Sequence, residues 1–436
     1  MRRTWIIIAI VYIFIFLPSL NARPVNYYLD IAFKKNPSLN AQKYETSAAG
    51  NDYKSESIFK NNPSFNLAYS NVPVGEWPSL DSHAMSGISI GVSQFIASPW
   101  EDYYRKQKSY AKYLSARESL HEARNMLALQ VQSAYHSLMF LEKKKLVLEE
   151  NLLLLKNIEN LAASLVSVNK MSSSHLLKLN ADTARIQNSI IEIDADIETA
   201  ISDLSRLCGY DNLEWDVKKE EVAGWIPGTP SSLENESFDY THHPVYRKIK
   251  ALYDVQKAAL SLEKANLTPG ITVGFDYRIR QEIAGKDEGE DFVSVMASIP
   301  VPLFYPLKET YRIDAQKQRQ KAYRDQLNSV MLQLQNNWNG ELSRFKKLRQ
   351  AFSNHTKKIL PGYMAAYRAQ VGSLSSGTIT LLDVLDSYRM YLDASIAEAK
   401  LYRDLVHSRL RIEYLRNNYP LKSTLSERRG EDIHAK

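Results

Sequence analysis

Two hydrophobic patterns alternate along this chain of 436 residues. Long stretches place apolar residues three and four positions apart, which is the spacing of one helix face. Shorter runs alternate apolar and polar residues, which is the period of a strand with one apolar face. The chain has only 16 Gly and 16 Pro, so turn-forming residues are scarce and uninterrupted elements are favoured. The patterns predict a mainly helical chain with a few strands.

The longest helical pattern begins at Pro99, and no further proline occurs before Pro227. It predicts a helix to about Val166, on the order of 100 Å long at about 1.5 Å per residue. Asn169 and the serines at 172–174 mark a turn, after which an apolar stripe returns through Leu204. The sustained heptad-like spacing predicts a coiled-coil hairpin.

A second long hairpin is predicted in the C-terminal half. Its outgoing stripe runs through Leu334 and Phe352, it turns at Gly372–Gly377, and it returns through Leu381 to Tyr402. Pro361 lies inside the outgoing helix and is expected to kink it, because proline has no N–H for the helical hydrogen bond.

Period-two alternation predicts two strands in each half of the chain. Each pair follows a predicted helix, 25–59 in the first half and 244–266 in the second. Polar connections at 71–84 and 279–290 join the strands of each pair. The predicted strands centre on Phe65–Tyr69, Ile88–Val92, Ile271–Tyr277 and Val293–Val295.

The order of elements and four sequence landmarks predict an internal tandem duplication. Asn36-Pro37 corresponds to His243-Pro244, and three further landmarks repeat at a separation of about 206 residues. The predicted organisation is a signal peptide (1–22), a first repeat (23–209), a connector (210–241), a second repeat (242–418) and a C-terminal tail (419–436).

The N-terminus reads as a signal peptide for export. Arg2 and Arg3 precede an apolar run of thirteen residues that ends at Pro18, too short for a membrane-spanning helix of about 20 residues. Cleavage near residue 22 is expected, and a retained N-terminal anchor is the alternative. The single cysteine, Cys208, excludes an intramolecular disulfide and is expected to be a buried thiol.

Charge and motif content favour neither nucleic-acid binding nor catalysis. The net charge of +6 is small, and basic residues are interleaved with acidic residues, as is typical of solvated helix faces. The sequence shows no glycine-rich phosphate-binding loop. His242 and His243 are adjacent and therefore point apart, which disfavours a metal site. We expect no catalytic residue, no cofactor and no metal.

The strands raise the question of what covers their apolar faces. In a soluble protein they would pack on the helices, but the helices already use their apolar stripes on each other. Strands of about 10 residues suit a membrane-crossing barrel. Lipid tolerates no open sheet edge, and the smallest natural barrels have about eight strands. Four strands per chain therefore predict closure by several chains, and three chains would give twelve strands.

The duplicated, proline-marked halves resemble the TolC-like outer-membrane efflux family over nearly the whole mature chain. The stretch from Gly377 through Asp383-Val384-Leu385-Asp386 is similar to the family's glycine, aliphatic pair and Asp-Val-Leu-Asp segment. The resemblance implies a homotrimer with a 12-stranded barrel in outer-membrane lipid and a helical tunnel through the periplasm. It also implies docking on a periplasmic adaptor and an inner-membrane pump.

The resemblance also implies a periplasmic gate ringed by carboxylates. Asp383 and Asp386 fall on the matching positions, and their spacing puts both on one helix face. In a trimer, crowded carboxylates would raise their own pKa and attract cations; the alternative is that both are ordinary solvated side chains. Family members can hold the gate with an Asp–Arg or Tyr link. The nearest corresponding residues here are Ile379 and Lys178, which put that link in doubt.

The competing class is a periplasmic coiled-coil adaptor or structural protein of an export complex. Adaptors of this kind have one hairpin and a separate β-rich domain, whereas this chain has two similar halves with a strand pair in each. The exported solute and the class of pump stay open from the sequence.

Overall fold

The computed structural model describes residues 24–58, 61–71, 74, 83–169, 171–225, 238–283, 285, 288–301, 305–375 and 378–417. The expected signal peptide and C-terminal tail lie outside these ranges, as do part of the connector and most of the first strand connection. The helices are α1 (Val25–Lys35), α2 (Pro37–Ser55), α3 (Pro99–Ser167), α4 (Ser173–Cys208), α5 (Lys219–Ala223), α6 (Pro244–Ala265), α7 (Tyr305–Asn354), α8 (Leu360–Ser375) and α9 (Leu381–Leu415). The strands are β1 (Ser64–Ser70), β2 (Gly87–Ile96), β3 (Ile271–Ile279) and β4 (Phe292–Ser298).

The chain divides into two compact units. The helical unit draws on residues from 1–40, 123–239 and 334–436, and the sheet unit on residues from 41–122 and 240–333. In the part of the chain that the structure describes, no helix combines the length and the apolar character needed to cross a membrane.

The helical unit has a continuous apolar core drawn from both predicted hairpins. Its core residues recur at three- and four-residue spacing, so each long helix buries one stripe. The predicted stripes are therefore confirmed where they fall in this unit. The largest fully buried side chains are Tyr28, Leu138, Leu155, Leu179, Ile193, Leu204, Phe345, Phe352, Leu381, Leu385, Tyr388 and Leu405.

The first hairpin has the predicted bounds. Helix α3 runs for 69 residues and ends at Ser167. Asn169 takes the left-handed conformation with φ 55°, and the Ser172 hydroxyl caps α4 by accepting from the Ser174 N–H at 3.3 Å. Helix α4 ends at Cys208 and is capped by Gly209, whose φ of 72° lies in the left-handed region that favours glycine. Cys208 is buried, as expected, and burial raises the pKa of its thiol to about 11.

The predicted first helix, 25–59, is wrong as a single element. The chain breaks at Asn36, which lies outside helical geometry because the following Pro37 disfavours the helical conformation of its predecessor. The Asn36 side chain stabilises the break. Its Oδ1 accepts from the Leu39 N–H at 2.9 Å, and its Nδ2 donates to the Leu207 carbonyl at 2.9 Å.

The second hairpin departs from prediction at its turn. Helix α8 continues through Gly372 to Ser375, so the turn begins later than residue 372; Gly377 lies outside the described residues. The distortion expected at Pro361 takes the form of a π turn at His355–Ile359, immediately before α8. A proline that cannot donate its N–H is a common cause of such a local change in the helical ladder.

The sheet unit contains an antiparallel four-stranded sheet in the order β1-β2-β3-β4. All four strands were predicted, although β1 and β4 have only 7 residues each. Leu67 is paired with Ile90, Ile90 with Tyr277, and Tyr277 with Val293. This register carries one continuous row of side chains across every strand, because directly paired residues point to the same face.

Candidate functional site

The sheet presents an apolar face that no described residue of the chain covers. Cross-strand partners form rows on this face, and their side chains are exposed. An exposed apolar patch of this kind marks an interaction surface. The two central rows are Phe65, Val92, Phe275 and Val295, followed by Leu67, Ile90, Tyr277 and Val293.

The opposite face of the sheet is largely polar. Arg278 donates from Nε to the Ser89 hydroxyl at 3.1 Å, and Asn66 is hydrogen-bonded to Ser93 at 3.3 Å. Asp276 is paired with Gly91. A Cβ at Gly91 would overlap the Asp276 carboxylate, so glycine at this position makes room for a charged side chain on the polar face.

The two outer strands of this sheet each have one neighbour among the described strands. Strand β1 is paired with β2 alone, and β4 with β3 alone. Their outer edges therefore carry backbone N–H and C=O groups that are available to a further strand. In hydrocarbon, such groups need a partner strand.

The predicted gate residue Asp383 caps helix α9. Its carboxylate accepts from the Thr380 hydroxyl at 2.7 Å and from the Thr380 N–H at 2.9 Å, and the Asp383 N–H donates back to Thr380. This reciprocal capping box stabilises the start of the helix. The hydroxyl and backbone hydrogen bonds from Thr380 lower the pKa of the exposed Asp383. The expected rise from crowded carboxylates concerns an assembly of chains and stays a prediction.

Asp386 lies one turn further along α9, and its side chain is 70% exposed. Its nearest charged group is Arg389 on the same helix, with Oδ1 and Nη1 3.6 Å apart. Asp383 and Asp386 are thus both exposed near the N-terminus of α9, and their place at a gate stays a prediction.

Arg389 forms an ion pair that the sequence analysis missed. Its Nη2 donates to both carboxylate oxygens of Asp182 on α4, at 3.0 and 2.9 Å. Arg185 also approaches Asp182, at 3.8 Å. The ion pair joins the return helices of the two hairpins, so the chain has an Asp–Arg link at positions other than Ile379 and Lys178. The Asp386–Arg389 spacing was the one available signal, because it puts an arginine beside the predicted gate.

Aromatic side chains surround this link. Tyr388 is fully buried and donates to the Asn151 carbonyl of α3 at 3.3 Å. Tyr367 of α8 lies with its ring centroid 6.2 Å from that of Tyr388 and is stacked 6.0 Å from Tyr391. The rings fix α9 against its neighbours, so Arg389 is held in place by packing as well as by charge.

Histidines elsewhere have structural contacts. His136 accepts from Trp225 Nε1 at 3.3 Å, and burial, reinforced by the nearby His407, lowers the pKa of His136 to about 4. His243 caps α6 by accepting from the Val245 N–H at 3.3 Å. Among the residues that the structure describes, no group of three His, Cys, Asp or Glu side chains could hold a metal ion.

No protein-family model and no curated protein matches the chain. Solved structures do. The Campylobacter jejuni CmeC outer membrane channel matches with a TM-score of 0.74 at 13% identity, covering 94% of this chain and 89% of CmeC. The Vibrio cholerae outer membrane protein VceC gives 0.73 at 14% identity, with 90% and 96% covered. The Neisseria gonorrhoeae MtrE outer membrane channel in its open state gives 0.72 at 16% identity, with 90% and 88% covered.

These matches span nearly the whole of each chain. The chain therefore has the TolC-like fold of outer-membrane channels, and the resemblance drawn from the sequence is confirmed at the level of the fold.

Proposed function

We propose that the chain is a subunit of a homotrimeric channel-tunnel in the outer membrane, with its long helices in the periplasm. In this role it is a passive conduit for solutes within a multicomponent efflux or export system, and it catalyses no reaction. The observation that carries the proposal is the four-stranded sheet, with an exposed apolar face, a polar face and two outer edges available for pairing.

The sheet has the features that a shared barrel needs. Its apolar face suits lipid, and its polar face suits a water-filled lumen. The strands alternate in direction, so β4 of one copy can pair antiparallel with β1 of the next. Three copies would supply twelve strands and close every edge, as lipid requires. The structural neighbours, which are outer-membrane channels, support the same assignment.

The gate and the partners follow from the same assignment. Asp383 and Asp386 would form carboxylate rings at the closed periplasmic end, and the Asp182–Arg389 link would hold the two hairpins of each chain together beside them. The tunnel would dock on a periplasmic adaptor and an inner-membrane pump. The repeats at 23–209 and 242–418 would each supply two strands and one hairpin.

Membrane fractionation combined with heat-modifiable gel mobility tests the assignment. We expect the mature protein, starting near Arg23, in the outer-membrane fraction as an SDS-resistant trimer that becomes monomeric on boiling. Recovery as a soluble periplasmic protein would instead favour an adaptor or a structural protein.

Surface labelling tests the orientation of the sheet. Outer-membrane barrels expose their longer loops to the outside, so a cysteine replacing Gly285 between β3 and β4 should react with an impermeant maleimide on intact cells. Cys208 provides the control, because its buried thiol should stay unlabelled. An equal lack of labelling at both positions in a correctly assembled trimer would contradict the orientation.

A further inference from the structure

Charge is segregated between two long helices of the helical unit. From residue 342 to residue 382 the sequence has seven Lys and Arg and no acidic residue. From residue 186 to residue 205 it has five Asp and Glu and no basic residue. The first segment covers the end of α7, the π turn and α8, and the second covers most of α4. Such blocks differ from the mixed charges that the chain places on α3.

Most cations of the basic segment are exposed. None of the exposed ones forms an ion pair with a residue that the structure describes. Lys346 and Lys357 are 11 residues apart, which is about three helical turns, and both are exposed. The cations that are both exposed and outside any ion pair with described residues are Arg344, Lys346, Lys347, Lys357, Lys358 and Arg368.

The acidic helix has a matching exposed face. Asp194 forms an ion pair with Lys145 of α3 at 2.7 Å, so Asp194 points toward α3. Glu192 and Asp196 lie two positions to either side of Asp194, which turns them to the opposite side of α4, and both are exposed. Asp203 follows Glu192 by 11 residues and lies on the same face. We call Glu192, Asp196 and Asp203 the acidic face of α4.

Side-chain contacts link these two charged helices through α9 and α3. The π turn that follows α7 contacts α9 through His355 Nε2, which is 2.8 Å from the Ala394 carbonyl. Helix α9 contacts α3 through His407 Nε2, 3.1 Å from the Ser133 carbonyl. Helix α3 contacts α4 through Lys145. Side-chain contacts thus connect α7 to α9, α9 to α3 and α3 to α4, with one further contact between α9 and α4 at Arg389 and Asp182. The exposed charges of α7 and α4 lie on the sides of these helices that face away from α9 and α3.

The two charged faces also lie at the same height along the helices. Phe352 of α7 contacts Tyr402 of α9, with ring centroids 5.7 Å apart, and the neighbouring Arg403 lies over Phe140 of α3. Lys145 of α3 forms an ion pair with Asp194 of α4, and α3 and α4 run antiparallel. Phe140, five residues before Lys145, therefore lies level with about residue 199 of α4.

At this alignment, individual basic residues of the basic segment lie at the same height as individual acidic residues of α4. Lys346 lies six residues before Phe352, and Asp203 lies four residues beyond position 199 in the same direction. Lys357 lies five residues after Phe352, and Glu192 lies seven residues before 199. Each pair thus agrees in height to about two residues, or roughly 3 Å.

We propose that the basic segment of one copy docks on the acidic face of α4 in the next copy, with Lys346 facing Asp203 and Lys357 facing Glu192. The proposal rests on the proposed trimer and names the surfaces that close it. A cyclic assembly rotates each copy about one axis without shifting it along that axis, so facing residues must lie at equal height. Both charged pairs meet this condition.

The expected role of this contact is to select the partner and its register. Exposed ion pairs contribute little stability each and weaken as salt rises, whereas complementary charges speed association and suppress wrong pairings. The charges on α7 and α4 would therefore align chains before the sheet edges pair.

Cysteine cross-linking in the full-length protein tests the contact directly. In a Cys208→Ser background, E192C with K357C and D203C with K346C should each give disulfide-linked dimers and trimers after oxidation, because a disulfide needs Cα atoms within about 7 Å. The matched control combines E192C with K346C, which are displaced by about 16 Å along the helices, and should give monomers. Absence of linked chains in both matched pairs, or equal linking in the control, would overturn the proposal.

Charge reversal supplies an independent readout. K346E with K357E should lower the SDS-resistant trimer fraction several-fold at low salt, and adding E192K with D203K should restore it. A wild type that is never trimeric refutes the proposed function itself. A trimeric wild type whose reversal variants assemble normally refutes only this contact, as do cross-links to a protein of different mass.

Discussion

Arg389 of α9 donates from a single nitrogen to both carboxylate oxygens of Asp182 on α4, at 3.0 and 2.9 Å. The two residues are 207 positions apart, which is the separation of the predicted repeat. The Asp182 side chain is only 14% exposed and that of Arg389 is 35% exposed. The ion pair therefore ties together two hairpins from opposite halves of the chain, one turn from Asp386.

Removal of this ion pair should loosen the hairpins. We expect Arg389→Ala to cost on the order of 1 kcal/mol in the free energy of unfolding, because the guanidinium is partly solvated. The variant should also raise the baseline permeability of cells to a large antibiotic. Asp182→Asn should act in the same direction, and the exchange of both residues, D182R with R389D, should restore the barrier at least in part. Wild-type permeability in both single variants would show that the link does not restrain the hairpins.

Several elements of the chain show what the sequence could predict and what it could not. The strands and long helices were predictable because their apolar periods depend on local sequence alone. The break at Asn36 was visible in the Asn-Pro pair, but it was read only as a landmark of the repeat. Gly372 was read as a turn, although a glycine within a helix is tolerated at a cost of about 1 kcal/mol. The Asp182–Arg389 pair joins residues that no local pattern connects.

Replacing Asp383 should lower the stability of the protein more than replacing Asp386. Replacement of an exposed carboxylate with no special partner usually changes stability by less than about 0.5 kcal/mol. The structure keeps that expectation for Asp386 but makes Asp383 the partner of Thr380 in a capping box. Asp383→Ala should therefore destabilise the protein more than Asp386→Ala does, since it removes a cap. Thermal unfolding followed by circular dichroism checks this, with Asp386→Ala as the matched control.

Both residues should still contribute to ion selectivity if they form the proposed rings. The double variant D383N/D386N keeps hydrogen-bond acceptors at both positions and removes the charge. In planar bilayers it should lose cation preference and block by multivalent cations. Unchanged selectivity and block in a correctly trimeric double variant would place the constriction elsewhere.

The half-buried His136 should make stability depend on pH. Its pKa in the folded state is lowered to about 4 from an ordinary value of 6.5. Above pH 6.5 the histidine is neutral in both states, so no penalty arises. As pH falls from 6.5 toward 4, the unfolded chain binds a proton that the folded chain does not, and stability is lost, up to about 3 kcal/mol per chain.

His136→Gln should flatten this dependence, because glutamine can still accept from Trp225 but does not titrate. Melting temperatures of wild type and variant, measured at pH 7.5 and pH 5, provide the comparison. An equally steep loss in both proteins would assign the acid sensitivity to other groups.

Gly91 should be critical for assembly of the sheet. A side chain there would collide with the Asp276 carboxylate, and overpacking of this kind costs roughly 1–3 kcal/mol. Gly91→Val should therefore reduce the amount of trimer in the outer membrane. Gly274→Ala is the matched control, since a Cβ at that position meets its neighbours at ordinary contact distance, 3.5 Å from Ser93. Equal trimer yields for the two variants would contradict the described register of β2 and β3.

Electrical recording tests the central claim, that this chain forms a channel, most directly. The purified SDS-resistant trimer should insert into a planar lipid bilayer and produce discrete, uniform conductance steps that favour cations over anions. Heat-dissociated monomer from the same preparation should produce none, because four strands cannot close a barrel. If folded trimers of both the wild type and Arg389→Ala insert into the bilayer and neither conducts at any applied voltage, the account is contradicted.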